Sequence, residues 1–104
     1  MVKMVYTKGH FAPITFCDIC NKRIYEAGKA GVIYPLEADE GDDIPVFIVH
    51  KGDCLHQAED RLGGRSESGF DELSVNLYYL LFNVGLTIEK LERAKSTAEM
   101  LSSI

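Results

Sequence analysis

The alternation of hydrophobic and polar positions changes rhythm about midway along this chain. In the first half the apolar residues come in short extended runs. Val2–Tyr6 reads as a strand and Phe11–Phe16 as a second, joined by the turn Thr7-Lys8-Gly9-His10. Pro13 confines the second run to an edge, because proline has no N–H to give to a ladder. Two further runs, Gly31–Leu36 and Ile44–Val49, are rich in the β-branched and aromatic residues that suit a pleated, half-buried surface. Between them lies Glu37-Ala38-Asp39-Glu40-Gly41-Asp42-Asp43, an acidic connection containing glycine. A hairpin with a solvated loop is expected there.

After His50 the period lengthens. Leu55, Ala58 and Leu62 recur at helical spacing. Asp53 is placed to cap a helix starting at Cys54, and Gly63-Gly64 to stop it. Arg65–Gly69 then reads as a polar linker. A second helix is expected over 70–84, with Ser68 as its cap and Asp71 completing part of a capping box. Phe70, Leu73, Leu77, Leu80, Leu81 and Val84 form one stripe on it, widened by Val75, Tyr78 and Phe82. Gly85 suits its C-terminal end. Thr87 can cap a third helix, with Ile88, Leu91, Ala94, Ala98 and Leu101 facing inward. So short a turn predicts an antiparallel helical hairpin. One amphipathic partner is narrow for so apolar a helix, so something more must cover it. That surplus is expected to cover the zinc module, to form a homodimer through helices 70–84 and 88–102, or both.

Length bounds the organisation. At 104 residues the chain fits one domain: a β-rich module over 1–62, the linker at 63–69 and the helical hairpin over 70–104. No apolar run approaches the roughly 18 residues of a membrane helix, and the N-terminus lacks the pattern of a signal peptide. A cytoplasmic location, away from membranes, is the resulting expectation.

Charge narrows the partners. The net charge is −5, but residues 1–35 carry five basic and two acidic side chains, while 36–60 carry eight acidic and one basic. Nucleic-acid binding needs a concentrated basic surface to release counterions, and only the first third offers one. Its candidate contacts are Lys8, Lys22, Arg23 and Lys29, with Tyr6, Phe11 and Tyr25 interleaved. Protection of strand edges is the plainer use of such lysines, and a protein partner is the favoured expectation.

The cysteines carry the sharpest signal. Three is an odd number, and in a reducing compartment a disulfide framework is not expected. Cys17-x-x-Cys20 lets two thiolates grip one ion from a tight turn. Asn21 follows, where such a knuckle commonly needs a positive φ; asparagine tolerates this best after glycine. His50-x-x-x-Cys54 supplies a second pair, from a strand end and a helix start, where exposed amides favour a thiolate. Cys17, Cys20, His50 and Cys54 are therefore candidate ligands of a structural Zn2+. His56, two residues after Cys54, is the alternative fourth ligand. His10 reads as a turn residue.

Knuckle, hairpin and a helix bearing the last ligand follow the order of a treble clef. The stretch from about 16 to 62 resembles the broad treble-clef and zinc-knuckle class, although its His-x-x-x-Cys pair departs from the commoner Cys-x-x-Cys. Other chemistry fits less well. A redox dithiol normally opens a helix, whereas Ile24 and Tyr25 continue an extended segment. A catalytic zinc needs an open position, and four protein ligands leave none. The acidic loop lacks the spacing of a calcium-binding EF loop. The expectation is an α+β fold, a zinc-bound β-hairpin module with a short helix followed by a helical hairpin. It would serve as a non-enzymatic interaction or regulatory module.

Overall fold

The computed structural model describes residues 1–102, so positions 103 and 104 of the expected hairpin lie outside the described part. The chain opens with an antiparallel pair, β1 (Val2–Thr7) and β2 (His10–Thr15), in register from Val2↔Thr15 to Thr7↔His10. Lys8 and Gly9 both take positive φ, 49° and 83°. That is what a two-residue turn needs to match the twist of its strands. Among the described residues the sheet has only these two strands, so Pro13 sits at an edge as its missing N–H requires. His10 opens β2 instead of lying in the turn.

A second sheet forms the centre. Its middle strand is β3 (Ala30–Pro35), with β4 (Phe47–His50) on one side and β5 (Ser68–Glu72) on the other, all antiparallel. The expected hairpin between the third and fourth strands is present, but β4 begins at Phe47 instead of Ile44. Pro45 cannot donate to the ladder, and Ile44 and Val46 are exposed.

β5 corrects the reading of 65–72. Arg65–Glu67 is a single 3₁₀ turn and Ser68–Glu72 is a paired strand, so there is neither a linker through Gly69 nor a helix from Phe70. The Ser68 hydroxyl donates to the Gly64 and Arg65 carbonyls, at 3.2 and 3.3 Å, and caps no helix. Two rings lie across this edge of the sheet. Phe70 lies over Gly31 and Tyr34 over Gly69, and a Cβ at either glycine would collide with the ring. Aromatic cover of strand glycines is a known device for pinning register.

α1 (Asp53–Arg61) packs on β4 and β3. Its N-cap is Gly52 at φ 93°, not Asp53. Asp53 is the first helical residue, where its charge complements the dipole without capping. Gly63 and Gly64 stop α1 as expected, their N–H groups donating to Asp60 (3.2 Å) and Glu59 (2.8 Å) in a Schellman closure. The core gathers Cys17, Ile24, Val32, Ile33, Val49 and Ala58, with Leu73 as the contribution of α2 (Leu73–Asn83).

Beyond Leu73 the burial stops. The same closure ends α2: Gly85, at φ 74°, donates to Phe82 (3.1 Å) and Leu86 donates to Leu81 (2.9 Å). Thr87 Oγ1 accepts from the Lys90 N–H at 3.2 Å and caps α3 (Ile88–Ser102) as expected. Yet every residue from Ile88 to Leu101 is exposed, including the positions expected to face inward. Leu77, Leu80 and Val84 of the expected α2 stripe are exposed too. Among the described residues no other helix or strand packs along α3. The radius of gyration, 16.0 Å, exceeds the roughly 13 Å of a compact chain this long. No described helix is long and apolar enough to cross a membrane.

Candidate metal centre

Three separate segments converge on one point. Cys17 and Cys20 come from the loop after β2, His50 from the end of β4 and Cys54 from the first turn of α1. One ligand atom from each lies within 4.8 Å of all the others. Cys17 is fully buried and the other three are partly buried.

The loop is a knuckle held by its own backbone. A bridge pairs Phe16 with Arg23, and the Cys17 N–H donates to the Lys22 carbonyl at 2.9 Å. The Asn21 N–H returns to the Cys17 carbonyl at 3.0 Å, which drives Asn21 to φ 62°. That left-handed conformation is the one expected after the second cysteine. Inside the turn, the Ile19 N–H points at Cys17 Sγ, 3.4 Å away. Amides aimed at sulfur stabilise a thiolate.

His50 is oriented from behind. Its Nε2 lies 3.2 Å from the Arg23 carbonyl, which can only accept, so Nε2 carries the proton. Nδ1 is left with its lone pair facing Cys20 Sγ at 3.4 Å. A ring nitrogen held by a carbonyl while the other faces the ion is the usual arrangement of a metal-binding histidine. Asp18 fixes the knuckle to β4. It exchanges two hydrogen bonds with Ile48, Asp18 N–H to Ile48 O and Ile48 N–H to Asp18 Oδ2, each 2.8 Å. Neither the Arg23 carbonyl nor Asp18 had a signal in the sequence, since both contribute through positions that only the folded register defines.

Crowding splits the acidities of Cys17 and Cys54. Burial pushes the Cys17 thiol up, but hydrogen bonds from the backbone at Cys20, His50 and Ile19, and from the Cys20 thiol, outweigh it and bring it down to about 6. Burial pushes Cys54 up as well. Hydrogen bonding to Cys17 and Cys20 and their negative charge add to it, taking the thiol to about 12. A cation placed among the sulfurs would relieve that repulsion, because ligating thiols bind deprotonated.

The other candidates lie elsewhere. The His56 side chain is 74% exposed and pairs at 3.7 Å with Glu59, outside the four-residue cluster. Lys8 is at the tip of the β1–β2 hairpin. Arg23 stacks on the Tyr25 ring at 4.7 Å, and Lys29 pairs with Glu26 at 3.4 Å. All three cysteines are free thiols. The cluster can therefore hold a metal ion with three sulfurs and one nitrogen. No family model matches the chain, and neither a curated protein nor a solved structure matches it.

Proposed function

We propose that Cys17, Cys20, His50 and Cys54 hold one structural Zn2+ and that the protein is a non-enzymatic interaction module built on that ion. The observation that carries this reading is the convergence of four ligand atoms within 4.8 Å, with His50 Nδ1 turned inward by the Arg23 carbonyl. Bond lengths of about 2.3 Å to sulfur and 2.0–2.1 Å to nitrogen give tetrahedral ligand separations of roughly 3.6–3.8 Å. A small inward adjustment of the cluster meets them. Three sulfurs and an imidazole suit zinc better than the harder ions, which favour oxygen.

Four protein ligands fill a tetrahedral ion, so none of its positions is left for water or substrate. That favours a structural ion over a catalytic one. The knuckle, the β3–β4 hairpin and α1 follow one another in treble-clef order, which supports a module of that kind. Three free thiols around one ion suit a reducing compartment such as the cytoplasm.

Native mass spectrometry of the purified full chain tests the site. One zinc per chain is expected, lost in Cys20→Ser and His50→Ala and kept in His56→Ala. Folded protein that binds no metal would overturn the proposal. Loss of zinc in His56→Ala with retention in His50→Ala would overturn the ligand set.

A further inference from the structure

The α2–α3 arm is the most unusual surface of the molecule. Nine large apolar side chains between Val75 and Leu91 are exposed, among them Tyr78 at 63%, Phe82 at 72% and Ile88 at 74%. Summed all round the helices they leave on the order of 1,000 Å² of largely apolar surface in water, so even a face carrying half of it reaches the roughly 300–600 Å² of the largest patch on a typical monomer. α2 contains no charged residue at all. A helix that has to face water normally carries charges on its outer side, so this one is built for contact.

The chain does not cover the arm itself. The Schellman closure at Gly85 and the Thr87 cap fix the step between the two helices, and with both in place α3 remains exposed along its length. A 15-residue helix without packing is also marginal in water. Among the described residues nothing covers it.

We infer that the occupant is a second copy of this protein, the two α2–α3 arms packing together about a two-fold axis. One chain supplies both complementary parts, a charge-free apolar helix and an amphipathic helix with an apolar stripe, which is what a self-complementary interface requires. The area agrees. One face of each arm, about half of that surface, gives roughly 1,000 Å² in all, the size a biological interface has to reach. The inference goes beyond the zinc reading and stands on different residues.

Light scattering on the full zinc-loaded chain at micromolar concentration tests it, with native mass spectra reading subunit number and metal separately. A dimer of twice the 11.6 kDa chain is expected. Phe82→Glu and Leu91→Glu, at exposed positions remote from the ligands, should each weaken the dimer at least about 100-fold while keeping one zinc per chain. A wild-type chain that stays monomeric overturns the inference, whether or not it binds lipid vesicles. So does a dimer unaffected by both substitutions. Loss of zinc with an intact dimer would count against the metal site alone.

Discussion

The module around the knuckle and the arm after Leu73 have similar local order and opposite burial. Both contain a helix closed by a Schellman motif, and both depend on positive φ at a turn, at Asn21, Gly63 and Gly64 in the module and at Gly85 in the arm. In the module, the fully buried side chains Cys17, Val32, Ile33 and Val49 belong to one core cluster. In the arm, none of the described residues after Leu73 is buried. Capping and helical periodicity are therefore sufficient to set where an element begins and ends. They do not supply the partner that makes it stable. In the module that partner is the core around the cysteine cluster, linked by a metal ion under the proposal above, and in the arm it is a second chain by the inference above.

The largest way to break this comparison is to remove the metal. Structural zinc contributes on the order of 10 kcal/mol of apparent binding energy, comparable to the whole stability of a small domain. Chelation is expected to unfold the module, and hydrogen exchange reads it directly. The amides of Val32, Ile33 and Val49 should lose protection, while those of α3 should respond to protein concentration and not to the chelator. Protection of β3 and β4 that survives chelation would mean that the apolar core suffices and the ion is incidental.

A smaller effect sharpens the electrostatics of the module. At neutral pH, Cys54 keeps its proton in the metal-free chain because its pKa is about 12, whereas Cys17, at about 6, has largely lost its own. Metal entry must displace the Cys54 proton, so lowering the pH weakens binding. The Cys54 proton alone makes apparent affinity fall at least about tenfold per pH unit, and the slope should steepen below about 6, where Cys17 is protonated as well. Chelator competition across pH 5 to 8 measures the slope. A flat profile would show that the thiols are already ionised without the metal and that their mutual repulsion is weak. Dimer dissociation should show no matching slope, because the arm's apolar contact contains no thiol.

Much of the module was legible because its chemistry is local. The spacing of Cys17, Cys20, His50 and Cys54 marked the cluster, and Asn21 marked the left-handed turn. Gly63-Gly64 and Thr87 marked helix ends through backbone hydrogen bonds that depend on near neighbours alone. β5 was not legible. Phe70, Leu73 and Leu77 recur at helical spacing, and what makes Ser68–Glu72 a strand is the open edge of β3 together with the fit of Phe70 over Gly31. Both belong to a partner more than thirty residues away. The inward stripes of α2 and α3 failed for a related reason. Periodicity shows that a face must be covered without saying by which chain.

The finest test applies one and the same strain to both regions. Asn21 has φ 62° and Gly85 has φ 74°, and a Cβ on Gly85 meets nothing within 4 Å. Alanine at either position thus pays for the left-handed backbone, about 1–2 kcal/mol, without a steric clash being added at Gly85. In Asn21→Ala the cost falls on the knuckle. Zinc affinity should drop about 5- to 30-fold, with Asn21→Gly restoring it, because glycine takes the same φ freely. In Gly85→Ala the cost falls on the step between α2 and α3, so the dimer should weaken by a similar factor while zinc affinity stays put. The two readouts moving together in either variant would show that the regions are energetically one unit. Separate responses would place the metal and the apolar arm in independent parts of the same small chain.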